Sequence, residues 1–169
     1  MMRGPCGEGS PGHGSRGETL AHEVPVPCPF TLESFSAAVE RWRRRPLTMV
    51  AIRLPPGRHG LWVGTAGRDY ILYEPSLPPL QQVRAIAHQA GHMCADHTGN
   101  DAAGNSVVTA LFPSLDPGLV AAELPPPKAF TDAEEQEAEA FATALLARIV
   151  LPPETAWQRS GQSCQRDIT

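Results

Sequence analysis

His88-Gln89-Ala90-Gly91-His92 is the stretch on which the reading of this chain turns. Residues four apart on an α-helix lie one turn above each other, so both imidazoles emerge on one face. Zinc accepts imidazole nitrogens together with a carboxylate oxygen, and two histidines so placed offer two ligands from one rigid element. The spacing predicts a helix over 79–94. Leu80, Val83, Ala87, Ala90 and Cys94, helped by Ile86, mark its apolar side. Two histidines four apart are common by chance. Here they are joined by Gly91, by an apolar helix and by an acidic, alanine-rich helix downstream.

That downstream helix is the clearest in the chain. Thr131 and Glu134 make a capping box, and Ala138, Phe141, Ala142, Leu145, Leu146 and Ile149 form an apolar stripe. The pattern runs to about Val150, before Pro152. Its first turns carry Glu134, Glu135, Glu137 and Glu139; glutamates 134 and 135 suit the positive end of the helix dipole. Glu135 lies in line with Ala138 and Ala142 and so projects from the buried face. Small alanines there let two helices approach closely enough for a shared metal ion. Glu135 is therefore the expected third ligand, a plain first-turn surface acid being the other reading.

Cys94, Asp96 and His97 follow the second histidine. Cys94 sits on the apolar side and reads as a buried thiol rather than a ligand. Asp96 is a candidate acceptor behind a ligand imidazole, a partner that such sites usually need. His97 reads as a surface residue, an outer partner of a ligand or a proton donor. His59, in a Pro/Gly turn, reads as surface.

Gln89 is the departure. In H-E-x-x-H peptidases the glutamate takes the proton of the water that the metal activates. A carboxamide has nearly the same shape and no basicity, so Gln89 occupies the general-base position without serving as a base. Asp69, Glu74 or Asp96 can approach it only through folding.

Upstream, Leu32, Phe35, Val39 and Trp42 predict a helix over about 32–45, with Thr31 as N-cap, Phe30 as staple and Pro46 as stop. Leu47–Leu54 reads as a strand, Pro55-Pro56-Gly57 as a turn, and Leu61–Val63 with Asp69–Tyr73 as a hairpin around 64–68. A small antiparallel sheet is thus expected ahead of the motif helix. Residues 1–24 are rich in Gly, Pro, Ser and Arg and read as a disordered leader, His13 and His22 being incidental. A loop is expected over 98–105, a short apolar element over Val107–Phe112, a short helix over Asp116–Leu124 closed by three prolines, and a polar tail over 153–169 in which Trp157 docks. The domain itself is expected over 25–152.

Composition bounds the rest. With 169 residues, 41% of them hydrophobic, the chain supports one core rather than two. A net charge of -4 gives no reason to expect nucleic acid or an anionic membrane as partner. The basic cluster Arg41, Arg43, Arg44 and Arg45 reads as the solvated end of a helix. The first residues lack the apolar core of a secretory segment, no stretch approaches the roughly 18 apolar residues of a membrane span, and the four cysteines make no CxxC pair. Reduced thiols in a cytoplasm are the expectation.

These motifs resemble the ImmA/IrrE family of zinc metallopeptidases. That family shows H-E-x-G-H on one helix and E-x-x-A-[N/D]-x-F-A on a later one, followed by paired leucines and a proline. The counterparts are His88-Gln89-Ala90-Gly91-His92, then Glu135-Gln136-Glu137-Ala138-Glu139-Ala140-Phe141-Ala142, Leu145-Leu146 and Pro152. The front half, with its Arg-Pro-Leu strand, Gly-Leu-Trp-Val and Asp-Tyr-Ile-Leu-Tyr, is similar to the actinobacterial branch labelled a regulator component. The resemblance spans about 28–152. It implies an α+β fold with the sheet packed against zincin-like helices, Zn(2+) on His88, His92 and Glu135, and Glu139 as an outer partner. It also implies proteolysis of a regulatory protein in a cytoplasm, with a helix-turn-helix regulator as one kind of partner. Gln89 undercuts the proteolytic half. A degenerate regulatory protein, a repurposed metal-dependent biosynthetic site with a small-molecule substrate, and an introduced change that traps an active peptidase all stay open.

Overall fold

The computed structural model describes residues 15–65, 67–97 and 129–150. Four helices, α1 (Arg16–Glu23), α2 (Leu32–Arg43), α3 (Pro79–Cys94) and α4 (Asp132–Val150), accompany three strands, β1 (Leu47–Ala51), β2 (Gly60–Gly64) and β3 (Asp69–Tyr73). The class is α+β. The expected elements over 98–128, the tail after residue 150 and the first 14 residues lie outside the described residues.

The sheet is mixed, which corrects the antiparallel expectation. β2 and β3 form the hairpin as read, from Gly60↔Tyr73 to Gly64↔Asp69. β1, however, lies parallel to β3, from Leu47↔Asp69 to Ala51↔Tyr73, giving the order β1-β3-β2. Burial explains why β3 takes the middle. Ile71 faces the main core with Phe35, Ile86 and Phe141, while Leu72 faces a smaller cluster with Leu61 and Val63. Successive side chains of a strand alternate between faces, so a strand apolar on both sides belongs at the centre. β1 ends at Ala51 rather than near 54, because its partner β3 ends at Tyr73.

The helix starts follow their caps. Thr31 and Ser34 cap α2 reciprocally, and Phe30 meets Phe35 with ring centroids 5.6 Å apart. α3 begins on Pro79, where a missing N–H costs nothing. Its buried side is Ala85, Ile86, Ala87, Ala90, Gly91, Met93 and Cys94; Leu80, expected there, is 60% exposed.

Two expectations fail in an instructive way. Residues 16–23 of the expected leader are a helix, capped by Ser15 and Glu18. Gly17 lies so close to α4 that a Cβ there would overlap the Glu137 carbonyl oxygen, and Ala21 and Val24 are fully buried. The glycine serves close packing. Arg148 of α4 donates to the carbonyls of Ala21 and Val24 and closes the end of α1. The arginine cluster is likewise only half solvated. Arg41 and Arg44 are exposed, but Arg45 pairs with the buried Asp69 carboxylate at 2.8 Å, and Arg43 reaches Asp96 at 3.1 Å and the Met93 carbonyl. Those contacts tie the ends of α2 and α3 to the start of β3.

Among the described residues no helix is long and apolar enough to cross a membrane.

Candidate metal centre

α3 and α4 pack at close range, and Gly91 is the reason they can. A Cβ at position 91 would lie 2.9 Å from Ala138 Cα and 3.0 Å from its carbonyl oxygen. Ala138 and Ala142, both fully buried, complete a small-residue seam. One turn from that seam, His88 and His92 face the start of α4, where the capping box holds the chain. The Thr131 amide and hydroxyl donate to the Glu134 carboxylate at 2.8 and 3.0 Å. Glu135 follows in the first turn.

His88, His92 and Glu135 converge. The two Nε2 atoms stand 3.1 Å apart, and Glu135 Oε2 lies 3.3 Å from His88 Nε2 and 3.7 Å from His92 Nε2. A tetrahedral ion with bonds of roughly 2.0–2.1 Å holds its ligand atoms about 3.3–3.4 Å apart. The three donors fit zinc in both chemistry and spacing, and no other group of His, Cys, Asp and Glu among the described residues does so. His92 is 1% exposed at its side chain and Glu135 49%, so the group opens toward solvent on the α4 side. An open cleft of about 710 Å³ lies there, bordered by His88, Gln89, Glu135, Glu139 and the 57–60 turn, including His59 on its exposed rim.

The outer nitrogens of both imidazoles are occupied. His88 Nδ1 lies 3.5 Å from Glu139 Oε2, and Glu139 pairs with Arg84. His92 Nδ1 lies 3.0 Å from His97 Nδ1. His97 is buried behind the His92 imidazole. Glu139, which the resemblance named as an outer partner, lies beside His88, and among the three readings of His97 the outer partner is the one that its position matches. Asp96 does not. Its backbone is left-handed (φ 52°), its side chain is 79% exposed, and it pairs with Arg43, away from His92. Phe130 was not foreseen. Its ring stacks on His92 with centroids 3.7 Å apart and planes 18° apart. The apolar residue just before a capping box is a staple position, a signal available in the sequence.

Burial drives the His92 pKa down to about 3, helped by the neighbouring His88 and His97 and opposed by Glu134. A neutral imidazole is the form that binds metal. Burial also pushes the Cys94 thiol up to about 12, so it stays protonated and apolar in the core, as its helix position implies.

Gln89 turns away from a base's task. Its Oε1 accepts the Trp62 backbone N–H at 2.8 Å, tying α3 to the outer edge of β2. None of the three carboxylates considered as substitutes borders the cleft. Asp69 is held by Arg45 and by Trp62 Nε1, Glu74 accepts from the Leu54 amide and from Ser76, and Asp96 is held by Arg43. Among the described residues, the carboxylates that do border it are Glu135 and Glu139. No protein-family model, no curated protein and no solved structure matches the chain.

Proposed function

We propose that this protein is a zinc-binding, metallopeptidase-like regulator whose metal site is kept and whose hydrolytic base is lost. The convergence of His88, His92 and Glu135 within 4.8 Å of one another carries the reading. His88, His92 and Glu135 would hold the zinc, which when bound would supply Lewis acidity beside the cleft. Glu139 and His97 orient the two imidazoles from behind. Gln89 offers an amide where H-E-x-x-H chemistry uses a carboxylate, so proton abstraction is the missing step. The resemblance to ImmA/IrrE proteins suggests a cytoplasmic protein partner as the occupant of the cleft, a helix-turn-helix regulator being one such partner.

Gln89→Glu tests the reading. The Trp62 amide needs only an acceptor oxygen, so the carboxylate keeps the bond and adds a base. Both forms are expected to bind zinc. The variant alone is expected to cleave peptides or a candidate regulatory protein, with a rate gain of about 10²-fold or more. Equal cleavage by both forms would show that another group serves as base. A zinc-loaded variant that cleaves nothing would count against descent from a hydrolase.

A further inference from the structure

A chain of polar groups runs from the buried ligand His92 across three elements. His92 Nδ1 meets His97 Nδ1 at 3.0 Å, His97 Nε2 meets Glu137 Oε2 at 3.1 Å, and Glu137 meets Arg16 Nη1 at 3.2 Å. Arg16 also donates to the Ala95 carbonyl at 3.0 Å, which ties α1 to the end of α3. The sequence carried no sign of this chain, since it runs from α3 through α4 to a helix in the glycine-rich N-terminal stretch.

With His97 neutral, the donors and acceptors in it have one self-consistent assignment. A carboxylate only accepts, so His97 carries its hydrogen on Nε2 and donates to Glu137. The Nδ1 of a neutral His97 is then an acceptor. His92 must donate to it, which places the His92 hydrogen on Nδ1 and leaves Nε2 with a free lone pair. That lone pair is the one aimed at His88 Nε2 and Glu135. Phe130 fixes the plane of the same ring. Free histidine in water prefers the opposite form, with the hydrogen on Nε2, so the ligand-competent form needs an outside determinant.

We propose that His97 and Glu137 are positioning residues which hold His92 in its Nδ1–H tautomer, so that Nε2 is ready for a metal ion before one arrives. The inference deepens the metal reading above and rests on it for its purpose. Its geometry rests on the side chains of His92, His97 and Glu137 alone. Outer partners of a ligand histidine typically contribute 10–100-fold in metal affinity. The determinant here is a second histidine with a carboxylate behind it.

The test is long-range ¹H–¹⁵N NMR of the histidine rings in the full, metal-free chain at pH 8, paired with zinc affinity by competition with a chelating dye. Wild type is expected to show His92 with its hydrogen on Nδ1. In His97→Leu the Nε2–H form is expected to appear, with zinc binding 10–100-fold weaker. His97→Gln is expected to rescue both readings, because an amide oxygen accepts from His92 and the amide nitrogen donates to Glu137. Glu137→Ala, at a half-buried surface position, serves if His97→Leu does not fold, and is expected to give a mixture of His92 tautomers. A wild-type His92 in the Nε2–H form overturns the proposal. So does a loss of zinc affinity with the tautomer unchanged, which marks mere packing. A wild-type chain with the Nδ1–H form and no zinc binding leaves the relay standing and defeats the metal reading instead.

Discussion

α3 presents two working faces, and they differ in kind. Toward α4 it offers Gly91, His88 and His92 in a seam where backbones nearly touch and the outer nitrogen of each imidazole already faces a partner. Toward β2 it offers Gln89, whose oxygen is spent on the Trp62 amide. The first face is a rigid frame for the candidate ligands, set by helix–helix packing. The second is a latch to a sheet edge. A carboxylate and a carboxamide both have an oxygen for that latch, so exchanging one for the other removes the base and leaves the frame unstrained. The side chains proposed to hold metal and the position proposed to have lost its base are thus mechanically separable on one helix.

The glycines test this comparison most forcefully, because each face has one. Gly91→Ala drives a Cβ to 2.9 Å from the Ala138 backbone, and relief requires the helices to part. A loss of about 2–3 kcal/mol in urea denaturation is expected, together with weaker zinc binding. Gly60→Ala meets the flexible Gln89 Cγ at 3.0 Å and the Ala85 carbonyl at 3.2 Å. The expected loss is about 1 kcal/mol, with zinc binding retained. A reversed order of the two would break the distinction between frame and latch.

Acid probes the frame next. The unfolded chain protonates His92 near pH 6.5, the folded chain only near pH 3. Between those values the unfolded state binds a proton that the folded state refuses. The contribution of His92 is therefore complete above pH 6.5 and is lost as pH falls toward 3, with a slope approaching about 1.4 kcal/mol per pH unit. Urea midpoints of the metal-free chain should drop between pH 7.5 and pH 5, and the drop should shrink in His92→Gln. An identical drop in that variant would assign the effect elsewhere.

The smallest effect is expected on the latch itself. Gln89→Ala removes the acceptor of the Trp62 amide and should cost about 1 kcal/mol, with zinc affinity within twofold of wild type. A large loss of zinc affinity would mean that the two faces are coupled after all.

Much of the frame was legible in the sequence because it rests on local signals. The bounds of α3 and the capping box of α4 follow from helical spacing and cap chemistry within single elements, and the sharing of one face by His88 and His92 follows from the same spacing. Strand order was not legible. β1 and β2 carry similar apolar patterns, and only the two-sided burial of β3 places it between them. The groups behind the two imidazoles were legible in part. Glu139 lies one turn beyond Glu135, whereas Asp96, close to His92 in sequence, is swung away by a left-handed backbone that puts His97 in its place. Arg16 was hidden because a glycine-rich stretch reads as unfolded until its partner helix is known. Gly17 earns its helix through contact with α4, which no local pattern records.

Zinc stoichiometry of the full chain, with wild type beside His88→Ala and Glu135→Ala, tests the central claim most directly. Wild type is expected to hold about one zinc per chain. Both variants are expected to keep their helical circular dichroism and to hold none after dialysis. A wild-type chain that takes up no zinc, or a Glu135→Ala chain that keeps it in full, would contradict a metal site built from these two histidines and this glutamate.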